Sequence, residues 1–158
     1  MQNNFIKFMR IIFSMIVMSF MVGSSYAADM SSPVGEWITV SDKTHDRSGI
    51  VNIYEKNGKL YGKIIKIYPV NGRDPAELCV KCSGEFKDKP VLGLTFLWGF
   101  EQKDANSWKN GSVLDPHDGQ IYRGSMTLVE DGKKLKLRGY WGIFWRTQTW
   151  IRVENGER

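Results

Sequence analysis

Cys79-Val80-Lys81-Cys82 holds both cysteines of the chain, and a C-x-x-C can do one of three things. In an exported protein it closes into a disulfide. Behind a strand and at a helix N-terminus, the helix dipole turns its first thiol into a redox nucleophile. With two further ligands it holds zinc. Ser83-Gly84 follows at once and Pro90 soon after, with no helical pattern between, so the redox geometry is not written here. Zinc would have to recruit His45 and His117, which stand far apart in the sequence. The disulfide is the expected state. Closing so short a loop stabilises by only about 2 kcal/mol in the chain-entropy model, enough to fix a loop and not a fold. His45-Asp46 and His117-Asp118 invite a catalytic reading, but both pairs sit in polar, turn-forming segments. No Gly-x-Ser-x-Gly elbow, Walker loop, His-Glu-x-x-His or Gly-x-Gly-x-x-Gly is present. No catalytic residue, metal ligand or cofactor is therefore expected.

Aromatic side chains are the other chemistry on offer. Phe96, Trp98, Tyr122, Tyr140, Trp141, Phe144 and Trp145 are candidates to line an apolar ligand site, although a filled core would show the same abundance. Trp141-Gly142-Ile143-Phe144-Trp145 lies where a polar hairpin tip belongs. It either folds back to plug the end of the fold, the reading favoured here, or offers a contact site. Trp37 opens the first strand after the leader and Arg152 lies in the last. If the sheet closes on itself, those strands meet and Arg152 stacks on the Trp37 indole, a cation–π pair.

The elements that must position these groups are short strands. Period-two segments run over roughly 35–40, 50–56, 60–68, 92–101, 107–113, 120–129, 134–141 and 147–153. Asn57-Gly58 and Asp131-Gly132 suit primed hairpin turns, and Asn110-Gly111 and Asp118-Gly119 mark two more turns. Val91 to Phe100 is nearly continuous apolar, either a strand covered on both faces or a buried turn. In the last strand, Thr147/Thr149/Ile151 and Gln148/Trp150/Arg152 are equally plausible as the inward face. The mature chain shows no amphipathic helical stripe. Eight short strands with hairpin connections predict an all-β fold, an up-and-down barrel in preference to a sandwich, because closure removes exposed edges.

Before the strands comes a different object. Lys7 and Arg10 precede an apolar run from Ile11 to Val22, and Ser25-Tyr26-Ala27 offers a cleavage site after Ala27. That is the pattern of an export signal, residues 1–27, too short for a comfortable permanent span. No cysteine stands near the cleavage site, so no lipoprotein anchor is expected, and a periplasmic or secreted location follows. Residues 28–158 then form one domain. Losing Lys7 and Arg10 lowers the formal charge of +5 by two, and without a basic stripe a nucleic-acid partner is not expected.

Several stretches together resemble a known family. They are Ser32-Pro33-Val34-Gly35-Glu36-Trp37, Val51-Asn52-Ile53-Tyr54-Glu55, Gly58-Lys59-Leu60-Tyr61-Gly62-Lys63-Ile64, the Cys79–Cys82 segment with Asp88-Lys89-Pro90-Val91-Leu92-Gly93, and Leu114-Asp115-Pro116 with Gly119 and Tyr122. Leu135-Lys136-Leu137-Arg138-Gly139-Tyr140 and Arg146-Thr147-Gln148-Thr149-Trp150 complete the set. The chain resembles the exported bacterial domain of unknown function 2147 from about Pro33 to Arg152. That family is similar to the lipocalin-like (calycin) barrels, whose opening Gly-x-Trp matches Gly35 and Trp37. The resemblance implies a lipocalin-like barrel and brings no activity or cofactor with it. The expected role is a non-enzymatic binding module for a small apolar ligand in the cell envelope. The alternative is a filled barrel that contacts an envelope protein through the 141–145 tip.

Overall fold

The computed structural model describes residues 30–41, 44–69, 72 and 74–154. The export signal expected over residues 1–27, with its expected cleavage site, lies outside the described residues. Eight antiparallel strands follow one another in chain order: β1 (Gly35–Val40), β2 (Arg47–Lys56), β3 (Lys59–Ile67), β4 (Thr95–Asp104), β5 (Ser107–Leu114), β6 (Ile121–Val129), β7 (Lys134–Trp141) and β8 (Phe144–Arg152). Each pairs with its chain neighbour, and β1 returns to β8 to close the barrel. This is the up-and-down architecture that the alternation predicts.

The alternation works because one face is buried. In β7, Leu135 and Leu137 point into the core while Lys136 and Arg138 are exposed. Leu137 stands opposite Gln148 and Leu135 opposite Trp150. The inward face of the last strand is therefore Gln148/Trp150/Arg152. Asn57 and Gly58 both take positive φ (53° and 72°), joining β2 to β3 as a primed two-residue turn.

One strand start and two turn readings are corrected, and of the two readings open for the Val91–Phe100 run the turn holds for its first residues. Val91–Leu94 is a turn, closed by the Leu94 amide donating to the Val91 carbonyl at 3.1 Å, and β4 begins only at Thr95. Its apolar residues Val91 and Leu94 are buried beneath that turn, which is why the run lacks alternation. Asn110-Gly111 is no turn either. Asn110 takes φ 61° within β5 at a register shift between Trp108 and Gly111, a bulge that bends the strand. Glu130-Asp131-Gly132 all take positive φ, so the β6–β7 connection is a longer loop than the pair Asp131-Gly132 implied.

The two ends of the barrel differ. At one end Trp37 and Arg152 stand opposite each other in the β1–β8 pairing, with the guanidinium 4.3 Å from the indole centroid. Arg152 is buried and donates to three carbonyls: Nε to Gly132 at 2.7 Å, Nη1 to Val34 at 3.3 Å and Nη2 to Ser32 at 2.7 Å. The Trp37 indole N–H donates to the Pro33 carbonyl at 2.8 Å. Residues 30–34 are thereby laid across this end and seal it. The opposite end carries the β1–β2, β3–β4, β5–β6 and β7–β8 connections.

Candidate functional site

Phe100 decides where the filled half of the barrel stops. Gly111 and Gly124 face each other across β5 and β6, and a methyl group on Gly111 would come within 2.3 Å of the Phe100 ring. The two glycines make the slot in which this ring lies. Beyond it, towards the open end, the interior is hollow, with a cavity of about 770 Å³. That is the size range of small-molecule sites.

The floor is apolar, with Val51, Ile64, Phe96, Val113, Leu137 and Trp150. Phe96 reaches it through a register shift between Gly62 and Lys63, where β4 carries an extra residue and both Phe96 and Leu97 are buried. The Phe96 and Trp150 rings meet at 6.2 Å. Gln148 brings a polar group onto this floor, its Oε1 accepting from the Trp150 indole at 3.2 Å. Around the mouth stand Lys66 and Arg146 with Asp46, Glu77, Asp115 and Asp118. Tyr122 also lines the cavity. Its hydroxyl donates to Asp118 at 2.6 Å, and that hydrogen bond, with desolvation and the carboxylate charge behind it, pushes the phenol pKa up to about 12.

A long β3–β4 connection forms the lid beside this mouth. Cys79 and Cys82 are joined in a disulfide and both are buried. The Cys79 amide donates to the Lys89 carbonyl at 2.8 Å, and Leu78 bridges to Pro90. The disulfide loop also lies tightly on the β5–β6 turn, where Gly119 leaves no room for a side chain against the Lys81 carbonyl. The aspartates around His117 have other partners. Asp115 accepts from the His117 backbone amide and Asp118 from that of Gln120, so these carboxylates build the turn. His45 sits on a different loop. Among the described residues no cluster of three His, Cys, Asp or Glu could hold a metal ion.

Of the seven aromatic candidates, Phe96, Tyr122, Trp141, Phe144 and Trp145 border the cavity; Trp98 and Tyr140 do not. Trp98 stacks on Phe86 of the lid at 5.7 Å. Tyr140 shares the outer face with Arg138, and its hydroxyl meets that of Ser125 at 3.1 Å. The plug expected of residues 141–145 is also corrected. The β7–β8 hairpin closes on the pair Trp141 and Phe144, with Gly142 at φ 58°. It projects past the rim and leaves Trp141, Ile143, Phe144 and Trp145 73%, 83%, 65% and 63% exposed. Val51, Ile64, Val113, Leu137, Gln148 and Trp150 were missed as lining residues. For Leu137 the strand alternation was a signal, since it puts Leu135 and Leu137 on one face.

Comparison with known proteins agrees with this architecture. The sequence model of a family described as "Uncharacterized protein conserved in bacteria (DUF2147)" matches residues 35–152. Among solved structures, the chain is similar to protein HP1028 from the human pathogen Helicobacter pylori, described as belonging to the lipocalin family. The two share 24% sequence identity with a TM-score of 0.68, over 80% of this chain and 86% of that one. A search of curated proteins gave no match.

Proposed function

This chain belongs to the bacterial family DUF2147, and on that premise we propose that it is an exported binding module that holds a small apolar ligand in its barrel within the cell envelope. The observation that carries the reading is the cavity of about 770 Å³. An eight-stranded barrel can be just filled by side chains or hold one small ligand, and the hollow upper half argues for the second. The space favours this reading over the filled barrel. The leader-like residues 1–27 support export.

The test is a titration with fatty acids and hydrophobic dyes, followed through tryptophan emission, because Trp150 lies in the floor. Saturable quenching is expected, together with a rise in melting temperature as ligand binds the folded state alone. Leu137→Trp should fill the floor and abolish the titration while the fold persists. Undiminished binding in that variant, or no response to any apolar probe, would overturn the reading.

A further inference from the structure

The tip of the β7–β8 hairpin is a contiguous apolar patch that the fold leaves uncovered. Contiguous exposed apolar groups of this kind mark a contact surface, and the charges near it on the hairpin are of one sign. From Lys134 to Val153 the chain carries five Lys and Arg and no Asp or Glu. Cross-strand register places Arg123, Tyr140 and Trp145 in one row and Ser125, Arg138 and Thr147 in the next. Arg123 and Arg138 are thus exposed on the outer face just below the tip, and the Arg138 guanidinium lies 5.8 Å from the Trp145 ring. Arg146 stands at the rim close behind Phe144 and Trp145. The rim carboxylates Asp46, Glu77, Asp115 and Asp118 all come from the other three connections.

We propose that this tip docks on an anionic lipid surface. Trp141, Ile143, Phe144 and Trp145 enter the boundary between headgroups and acyl chains, and Arg123, Arg138 and Arg146 face the lipid phosphates. Tryptophan and phenylalanine rings favour that boundary, and clustered cations add attraction to anionic headgroups. A protein partner fits less well, because a stable interface takes about 20–30 residues a side and the apolar patch is one projecting turn. Trp141, Phe144, Trp145 and Arg146 also border the cavity mouth, so docking would set that mouth against the lipid surface, while Ile143, Arg123 and Arg138 lie outside the cavity lining.

The experiment mixes the whole protein with vesicles of equal parts phosphatidylethanolamine and phosphatidylglycerol whose acyl chains are brominated, and reads quenching of tryptophan emission. Trp37, Trp108 and Trp150 are buried, and Trp98 is half-buried with its ring stacked on Phe86, so the loss of quenching in a variant without the two tip tryptophans assigns the signal to the tip. The apolar run from Ile11 to Val22 contains no tryptophan and is common to every variant. Quenching is expected with these vesicles, weaker in phosphatidylcholine and weaker again at high salt. Trp141→Phe/Trp145→Phe should abolish it. Ile143→Ser/Phe144→Ser should weaken it by about tenfold or more with an unchanged melting temperature, since both side chains are already in water. Arg123→Gln/Arg138→Gln should weaken it on anionic vesicles only. Unquenched emission overturns the proposal, as does quenching that survives in Trp141→Phe/Trp145→Phe. Concentration-dependent dimerisation without vesicle binding, lost in Ile143→Ser/Phe144→Ser, overturns it in favour of a second copy of the chain.

Discussion

Arg152 is the buried cation of the closed end, and its role is structural. It stacks on Trp37 and donates to three carbonyls, of which that of Gly132 belongs to a buried residue. Orphaning a buried acceptor costs about 1–3 kcal/mol and the cation–π stack adds roughly 0.5–2 kcal/mol, so Arg152→Ala should lower unfolding free energy by about 2–4 kcal/mol in chemical denaturation. Arg152→Lys should recover little of that, because a point charge replaces a planar fork aimed at separate acceptors. The pair was legible in the sequence once closure was assumed, since closure brings first and last strands together. Its carbonyl partners were not, because they belong to a loop and to residues before β1. Tyr122 gives a second residue-level outcome. Its raised pKa means that the Asp118 bond contributes stability below the ordinary phenol value of 10.0, lost as pH rises through about 12. In ultraviolet difference titration, Asp118→Asn should bring the phenol back towards 10.0.

The strands were nearly all legible because each has one wet face and one dry face, and period two records that contrast. What lay outside this code were the departures from it. Phe96 and Leu97 both turn inward through a bulge, and Asn110-Gly111 bends a strand where its composition signals a turn. Both depend on partners far along the chain. The Gly111–Gly124 slot has a direct consequence: Gly111→Ala would drive its methyl into Phe100, and overpacking of this kind costs roughly 1–3 kcal/mol. Phe100→Leu should relieve part of that loss when combined with Gly111→Ala, a coupling that a double-mutant cycle measures. The disulfide belongs to the lid and not to the barrel. Cys79→Ser/Cys82→Ser should cost no more than about 2 kcal/mol globally, while amide exchange accelerates in residues 77–90 and stays unchanged in β5 to β8.

For the molecule as a whole, the site was legible only in part. Alternation assigns faces, but whether the interior is hollow depends on summed volumes, and the sequence does not show that the packed half ends at Phe100 with a cavity beyond it. The expected plug at 141–145 failed for the same reason: a hairpin tip folds inward or projects according to what the opposite loops leave free. Consecutive pairing also bears on how the molecule assembles. Seven of the eight seams join strands that are neighbours in the chain, and one seam, β1 with β8, joins its two ends. Local seams can zip early, whereas the terminal seam must wait for the loop-closure entropy of the entire chain to be met. In stopped-flow chevrons, Arg152→Lys should therefore accelerate unfolding and leave the refolding rate almost untouched. The cation that seals the bottom of the barrel is then also its last latch, fastening after the rest has formed and releasing before the rest comes apart.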